Sequence, residues 1–343
     1  MPDPTTAATV TPSRSADDNA LRSAPSRHCA ACGREGVPLY DGLTDYLSGT
    51  PGTWRMARCP DEACGLLWLD PKPLAEDLVK AYTGYHTHGR AVRRSGVRLG
   101  RSALNTACKL ASHLLELGSD LGRQRRALRT MFLGELLPGK LLEIGCGSGR
   151  FLDRMRRLGW DVRGTEFDPE AAARIRRRYG LRVDVGELHD LAYEPDAFDA
   201  IALSQVVEHV HDPLRLLAEC RRLLRPGGRL VLTTPNARSV GHRRYGRAWR
   251  GLEPPRHLHL FTPASLAACA RAGGLHVVQL RTLSAESAGI YRASDAIRRS
   301  QGECEPISQA GSIVRSWWLR CLEYRRGRHE PDAGQDLLLL ATK

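Results

Sequence analysis

Leu141-Leu142-Glu143-Ile144-Gly145-Cys146-Gly147-Ser148-Gly149-Arg150-Phe151-Leu152 is the stretch on which the reading of this chain turns. Two apolar residues and an acid run into three glycines at alternate positions, and an amphipathic stretch from Phe151 to Leu158 follows. The pattern predicts a buried strand, a tight turn and a helix N-terminus, because glycine lets the backbone turn sharply and approach a ligand closely. The spacing departs from the dinucleotide fingerprint G-x-G-x-x-G, which sets a pyrophosphate on a helix dipole. Here an acid ends the strand where a phosphate would be repelled. An acid at that point suits a ligand with a cationic amino acid end.

The run resembles the first motif of the Rossmann-like S-adenosylmethionine (SAM) methyltransferases, and the chain downstream continues the resemblance in order. Trp160 to Pro169 predicts a second strand ending in Glu166, about 20 residues past the glycines, where a carboxylate accepts from both hydroxyls of a ribose. Phe167 is placed to pack on an adenine face. A short third strand, Leu181 to Val185, ends at Gly186-Glu187-Leu188, where such enzymes hold the adenine edge. Ala197 to Val210 runs from a fourth strand through Ser204 and Gln205 into the loop beside the methyl donor. Leu223 to Asn236 reads as a helix end, a Pro-Gly-Gly turn and a fifth strand. The resemblance implies an α/β fold with a Rossmann-like, mainly parallel seven-stranded sheet. It places the cofactor on Glu143, Gly145, Cys146, Gly147, Gly149, Glu166, Phe167, Glu187, Leu188, Ser204 and Gln205. Leu275 to Leu283 and Asp336 to Thr342 are the expected last two strands, the final one antiparallel as the resembled fold has it. Ala288 to Arg328 is an expected helical insertion whose Trp317-Trp318 pair serves packing and does not stack a substrate.

At 343 residues the chain has room for two domains and a core of ordinary size. No apolar run approaches a membrane span, and no hydrophobic signal core stands near the start. Residues 1–27, rich in Pro, Thr, Ser and Ala, read as a disordered tail. Asp3, Asp17 and Asp18 argue against a mitochondrial presequence, and a cytoplasmic protein is expected. Lys and Arg total 51 against 38 Asp and Glu, a formal net charge of +13. The excess gathers between Arg90 and Thr130, where Arg90, Arg93, Arg94, Arg98, Arg101, Lys109, Arg123, Arg125, Arg126 and Arg129 face only Glu116 and Asp120. A solvated helical face explains it more simply than a collar for a phosphate-bearing substrate, since no aromatic interleaving marks a nucleic-acid track.

Cys29-Ala30-Ala31-Cys32 and Cys59-Pro60-Asp61-Glu62-Ala63-Cys64 form a second constellation, each pair followed by glycine. Two short-spaced pairs on separate turns can surround one tetrahedral zinc ion, with free or redox thiols as the rival reading. A reducing compartment disfavours disulfides and strengthens the metal reading. Such a site has no open coordination position, so its expected work is to fold a module over residues 28–73. A helical cap would span 74–137 and the catalytic core 138–343. Cys108, Cys146, Cys220, Cys269, Cys304 and Cys321 read as ordinary thiols.

Zinc knuckle and core together are similar to a bacterial family whose core resembles the ubiquinone-pathway O-methyltransferases. The phrases that carry this are Cys64-Gly65-Leu66, Leu69-Asp70-Pro71-Lys72-Pro73 and Tyr82-Thr83-Gly84-Tyr85. The resemblance implies methylation of a small acceptor, a sugar or a polyketide-like or phenolic secondary metabolite. A hydroxyl acceptor also needs a base, and histidine serves near neutral pH. Glu208-His209 follows the fourth strand. Trp249-Arg250-Gly251-Leu252-Glu253-Pro254-Pro255-Arg256-His257-Leu258-His259 lies past the fifth, on the carboxyl edge where ligands collect. His209 and His257 are the candidate bases, Glu208 an orienting group, and His259 a weaker candidate that alternation would turn the same way as His257. The bland alternative is that His209 caps a helix and His257 satisfies a loop carbonyl. Gln205 stands where the ubiquinone-pathway pattern has the first acid of Glu-x-x-Glu-His, which argues against a catalytic divalent ion. C-methylation of an activated carbon, an RNA methyltransferase and a silent SAM-binding scaffold are the remaining alternatives.

Overall fold

The computed structural model describes residues 21–46, 48–82, 119–302 and 309–343. Most of the expected tail, Thr83 to Tyr85, the basic positions from Arg90 to Lys109, Glu116 and Cys304 lie outside them.

The N-terminal part carries β1 (Ser23–Ala24), β2 (Val37–Leu43), β3 (Trp54–Arg58), β4 (Leu67–Leu69), β5 (Lys72–Pro73) and the short helix α1 (Ala75–Leu78), which a 3-10 turn extends to Tyr82. Then come α2 (Asp120–Leu128), β6 (Lys140–Ile144), α3 (Arg150–Arg157), β7 (Asp161–Glu166), α4 (Pro169–Tyr179), β8 (Val183–Val185), β9 (Phe198–Ser204), α5 (Pro213–Leu223) and β10 (Leu224–Pro235). The last third adds α6 (Val240–Tyr245), β11 (His259–Leu260), α7 (Pro263–Ala272), β12 (His276–Leu283), α8 (Ser287–Ser300), α9 (Gln309–Arg326) and β13 (Asp336–Thr342). The local chemistry fits these bounds. Asp168, Asp212 and Thr262 accept from backbone amides at the starts of α4, α5 and α7, each with proline in the first turn.

The central sheet runs β12-β13-β10-β9-β6-β7-β8. β6, β7, β8, β9 and β10 are parallel, and β13 is antiparallel to both β10 and β12. This is the expected Rossmann-like sheet, with its antiparallel last strand. Alternate residues feed two cores: Leu142, Ile201, Leu203, Leu230 and Leu232 pack on one face, Leu141, Ala200, Ala202 and Val231 on the other.

A second sheet, β11-β4-β3-β2, joins the N-terminal part to the segment that follows β10. β4 pairs antiparallel with β11, Trp68 opposite His259 and Leu67 opposite Leu260. Cys29, Cys59, Leu66 and Trp68 share one apolar cluster with the central strands. The cysteine segment is therefore built onto the wall that follows β10.

Two expectations need correction. Residues 21–27 belong to the fold and not to a tail: Ser23 pairs with Pro73 in β1–β5, and Arg22 binds the Asp77 carboxylate at 2.7 Å through Nε. Trp318 is not a packing residue of the core; it is 54% exposed. The buried stripe of α9 runs through Ser312, Ser316, Leu319 and Glu323, and Trp318 lies off it beside exposed Val314. Among the described residues no helix is long and apolar enough to cross a membrane.

Candidate functional site

The turn after β6 holds Gly145, Gly147 and Gly149 at φ of +67°, +49° and +70°. A Cβ at Gly145 would meet Val206 Cγ2 at 2.8 Å, and one at Gly149 would meet Ile175 Cγ2 at 2.6 Å. Those two glycines let the turn pack on the protein. At Gly147 a Cβ would meet nothing nearer than the Gly145 carbonyl oxygen at 4.0 Å, so this part of the turn faces open space.

Two carboxylates frame that space. Glu166 ends β7, and its Oε2 accepts from Gly147 N at 2.8 Å while Oε1 accepts from Phe167 N at 3.1 Å and Asp168 N at 3.3 Å. Glu143 is buried one strand away, and its Oε2 has no hydrogen-bond partner among the described residues. Burial, with Glu166 adding repulsion, pushes its pKa well above the usual carboxyl value. A buried carboxylate oxygen without a partner is costly, and an incoming ammonium group would satisfy it. The donor set therefore fits SAM. Phe167 is 40% exposed beside the turn, Leu188 is buried, Glu187 is exposed, and Ser204 and Gln205 close the tip of β9. Cys146 is buried, with its amide bonded to Thr165 O at 3.0 Å.

Beyond β9 the chain folds back on the loop after β10. His209 Nδ1 lies 3.0 Å from the Arg256 carbonyl and 2.9 Å from Tyr82 Oη. A carbonyl only accepts, so Nδ1 carries the hydrogen and Nε2 keeps its lone pair. Burial lowers the His209 pKa, which favours this neutral form. The His257 ring sits 4.7 Å from that of His209, edge to face. His257 is buried, its Nδ1 2.7 Å from the Gly251 carbonyl and its Nε2 3.4 Å from Glu253 Oε2. Burial, with His209 adding to it, pushes this imidazole down to about 3 in spite of Glu253. Glu208 is fully buried; its Oε2 accepts from Thr234 Oγ1 at 2.9 Å and its carbonyl from Leu258 N at 2.7 Å and His259 N at 3.1 Å. Burial raises its carboxyl to about 8, so it is protonated at neutral pH.

His259 is not brought to this group. The backbone turns at Glu253 to His257 and becomes extended only at β11, so alternation does not relate the two histidines. His259 instead lies 2.8 Å from Lys72 Nζ, against the N-terminal sheet.

Three contributors lie in stretches singled out above, but no role was assigned to them there. Tyr82 reaches His209 and also sets its ring on Phe167, centroids 5.1 Å apart. Burial opposes ionisation of Glu253, but His257, Arg250 and Arg256 overcome it and hold the carboxyl well below its usual range. Arg256 is fully buried and joins Glu253 Oε1 at 3.0 Å to Asp45 Oδ2 at 2.8 Å.

The four cysteines meet at the far end of the small sheet. Cys29 Sγ lies 3.7 Å from Cys64 Sγ, and Cys32 Sγ 3.4 Å from Cys59 Sγ, all four within 4.8 Å of one another. Zinc–sulfur bonds of about 2.3 Å at tetrahedral angles require sulfurs about 3.8 Å apart. Gly33 and Gly65 are both left-handed, as a chain reversing behind each pair needs.

A methyltransferase domain family matches residues 108–280, half of the chain. The ubiquinone biosynthesis O-methyltransferase of Cereibacter sphaeroides is 37% identical over 150 residues, 40% of this chain and 61% of that protein. Its counterpart in Xanthomonas euvesicatoria is 35% identical over 158 residues, 42% of this chain and 65% of the other. The chain thus spans a little under two thirds of these relatives. Among solved structures, the [4+2]-cyclase SpnF has 26% identity and a TM-score of 0.43, covering 63% of this chain and 77% of its own. A SAM-dependent methyltransferase from Mesorhizobium loti has 18% identity and a TM-score of 0.41, covering 60% and 90%. The chain belongs to the methyltransferase domain family and, over part of its length, is similar to the ubiquinone biosynthesis O-methyltransferases.

Proposed function

We propose that this protein moves a methyl group to a hydroxyl of a small molecule, such as a sugar or secondary metabolite, with His209 as base. The observation that supports this most is the pairing of an unpartnered Glu143 oxygen below the open Gly147 turn with a histidine whose Nε2 lone pair is free. SAM supplies an electrophilic methyl on a sulfonium. Glu143 would hold its ammonium, Glu166 its ribose hydroxyls, Phe167 and Leu188 its adenine faces, Glu187 the adenine edge. Gly145, Cys146, Gly147, Gly149, Ser204 and Gln205 would line the path between. His209 Nε2 takes the acceptor's proton as its oxygen attacks, and most of the remaining work is positioning. Cys29, Cys32, Cys59 and Cys64 would hold zinc in a module over residues 28–73, and the core begins at residue 138; most of the expected cap, 74–137, lies outside the described residues. His257 and Glu208 support His209: the first packs on its ring, the second holds the loop backbone.

Glu166→Ala removes charged hydrogen bonds of about 1.5–3 kcal/mol each. Affinity for S-adenosylhomocysteine, read by titration calorimetry below the melting transition, should fall about 10- to 100-fold, with a lower melting temperature because three backbone amides lose their acceptor. Unchanged affinity would move the cofactor away from β7. Tyr82→Phe removes one hydrogen bond to the base, about 1 kcal/mol. We expect kcat to drop roughly fivefold with cofactor affinity retained; an unaltered kcat would leave Tyr82 as packing only.

A second reading assigns the same residues a divalent ion. Donor atoms of Glu208, His209 and His257 lie within 4.8 Å of one another. The segment that follows Gln205 supplies two of these donors, and the third comes from the loop after β10. Added Mg²⁺ or Mn²⁺ stimulating the zinc-loaded protein would favour this reading; indifference would favour the metal-free base.

A further inference from the structure

A cleft of about 910 Å³ opens where α2, the end of β12 and the end of α9 meet. Arg126, Arg281 and Arg328 line it, from three separate parts of the chain. None of the three has a carboxylate partner among the described residues, although the protein pairs many of its other arginines. Two are oriented by aromatic rings: Arg281 lies 4.9 Å over Phe132 and Arg328 5.8 Å over Tyr324. Stacking fixes the plane of a guanidinium and leaves its N–H edge for a ligand. The cleft's own acids do not cancel this charge. Asp120 is taken by Arg123 and by Tyr324 Oη at 2.7 Å, and with Glu135 it faces four lining arginines, Arg123, Arg126, Arg281 and Arg328, all of them exposed to an incoming ligand. Partial burial also holds the Arg281 guanidinium below its ordinary value, a cost that a nearby anion would relieve.

We infer that this cleft binds a phosphate-bearing small molecule, through the fork of Arg281 and Arg328 with Arg126 closing it. Planar guanidiniums from several elements suit the tetrahedral oxygens of phosphate, and the volume falls within the range of small-molecule clefts. The site is separate from the glycine turn. β12 stands four strands from β6 in the sheet, roughly 19 Å at strand spacings of ~4.8 Å. Both openings lie on the carboxyl edge, since β12 runs parallel to β6. The phosphate can therefore be the distant end of a long methyl acceptor or a second molecule altogether. The inference does not rest on methyl transfer, because cofactor binding is measured separately.

The test titrates inorganic pyrophosphate into the full-length, zinc-loaded protein and into two double variants of equal charge change. Arg281→Gln with Arg328→Gln alters the cleft; Arg177→Gln with Arg178→Gln alters α4 at the opposite edge of the sheet. Wild type and the α4 variant should bind pyrophosphate saturably at one site, and the cleft variant at least tenfold more weakly. S-adenosylhomocysteine affinity and melting temperature should match in all three. Equal pyrophosphate binding by the two variants, or no saturable binding by wild type, would overturn the inference. In turnover, competition of pyrophosphate with the acceptor supports the acceptor's own phosphate; an unaffected acceptor KM supports a separate molecule.

Discussion

Replacing His209 by alanine should lower kcat by about 10²- to 10⁴-fold, the usual contribution of a positioned general base. Affinity for S-adenosylhomocysteine should hardly change, since Glu143, Glu166 and the glycine turn, and not His209, would hold the cofactor. The pH profile carries the same claim. Burial lowers the His209 pKa from its ordinary 6.5, so the base is already neutral at pH 7. The rate should fall on the acid side, as protonation of Nε2 removes the lone pair. His257→Ala should do less to kcat, because that ring is buried against Gly251 and Glu253 and is the weaker base. If His257→Ala abolished turnover and His209→Ala did not, the two roles would have to be exchanged.

Removing zinc should have the largest structural effect. Structural zinc in small modules contributes on the order of 10 kcal/mol, and the segment it would organise is tied to the acceptor loop at four places. β4 pairs with β11, Thr262 Oγ1 donates to the Cys64 carbonyl at 2.5 Å, Lys72 meets His259, and Asp45 meets Arg256. The Arg256 carbonyl in turn positions His209. Cys59→Ser, at a buried position, should yield protein with less than one zinc per chain by mass spectrometry. Its small sheet should become open to proteolysis and its turnover should be largely lost. A metal-free wild-type protein with an undiminished melting temperature would end the zinc reading.

How much of this was legible beforehand follows from the range of each signal. The glycine turn, Glu143 and Glu166 sit within one strand-turn-helix-strand unit, where alternation and spacing carry the information. The sheet order came from five such units in sequence. The cysteine pairs were readable because both spacings are short. What could not be read depends on contacts between distant residues. Tyr82 and His209 are 127 positions apart, and Asp45 and Arg256 are 211 apart. Nothing in the residues around Leu67 announces that β4 will pair with a two-residue strand at His259. Extended alternation from His257 to His259 was a sound local rule that the turn at Glu253 overrides. The three arginines of the cleft come from α2, β12 and the end of α9, so the sequence showed only the first of them, as part of a charged face.

The most direct test is a crystal structure of the protein with S-adenosylhomocysteine, collected with an anomalous scan at the zinc edge. The account predicts the amino acid end on Glu143, the ribose on Glu166, and the sulfur facing the space before His209 Nε2, with one zinc among the four cysteines. Nucleoside density away from the Gly145–Gly149 turn, or a sulfur turned away from His209, would contradict it.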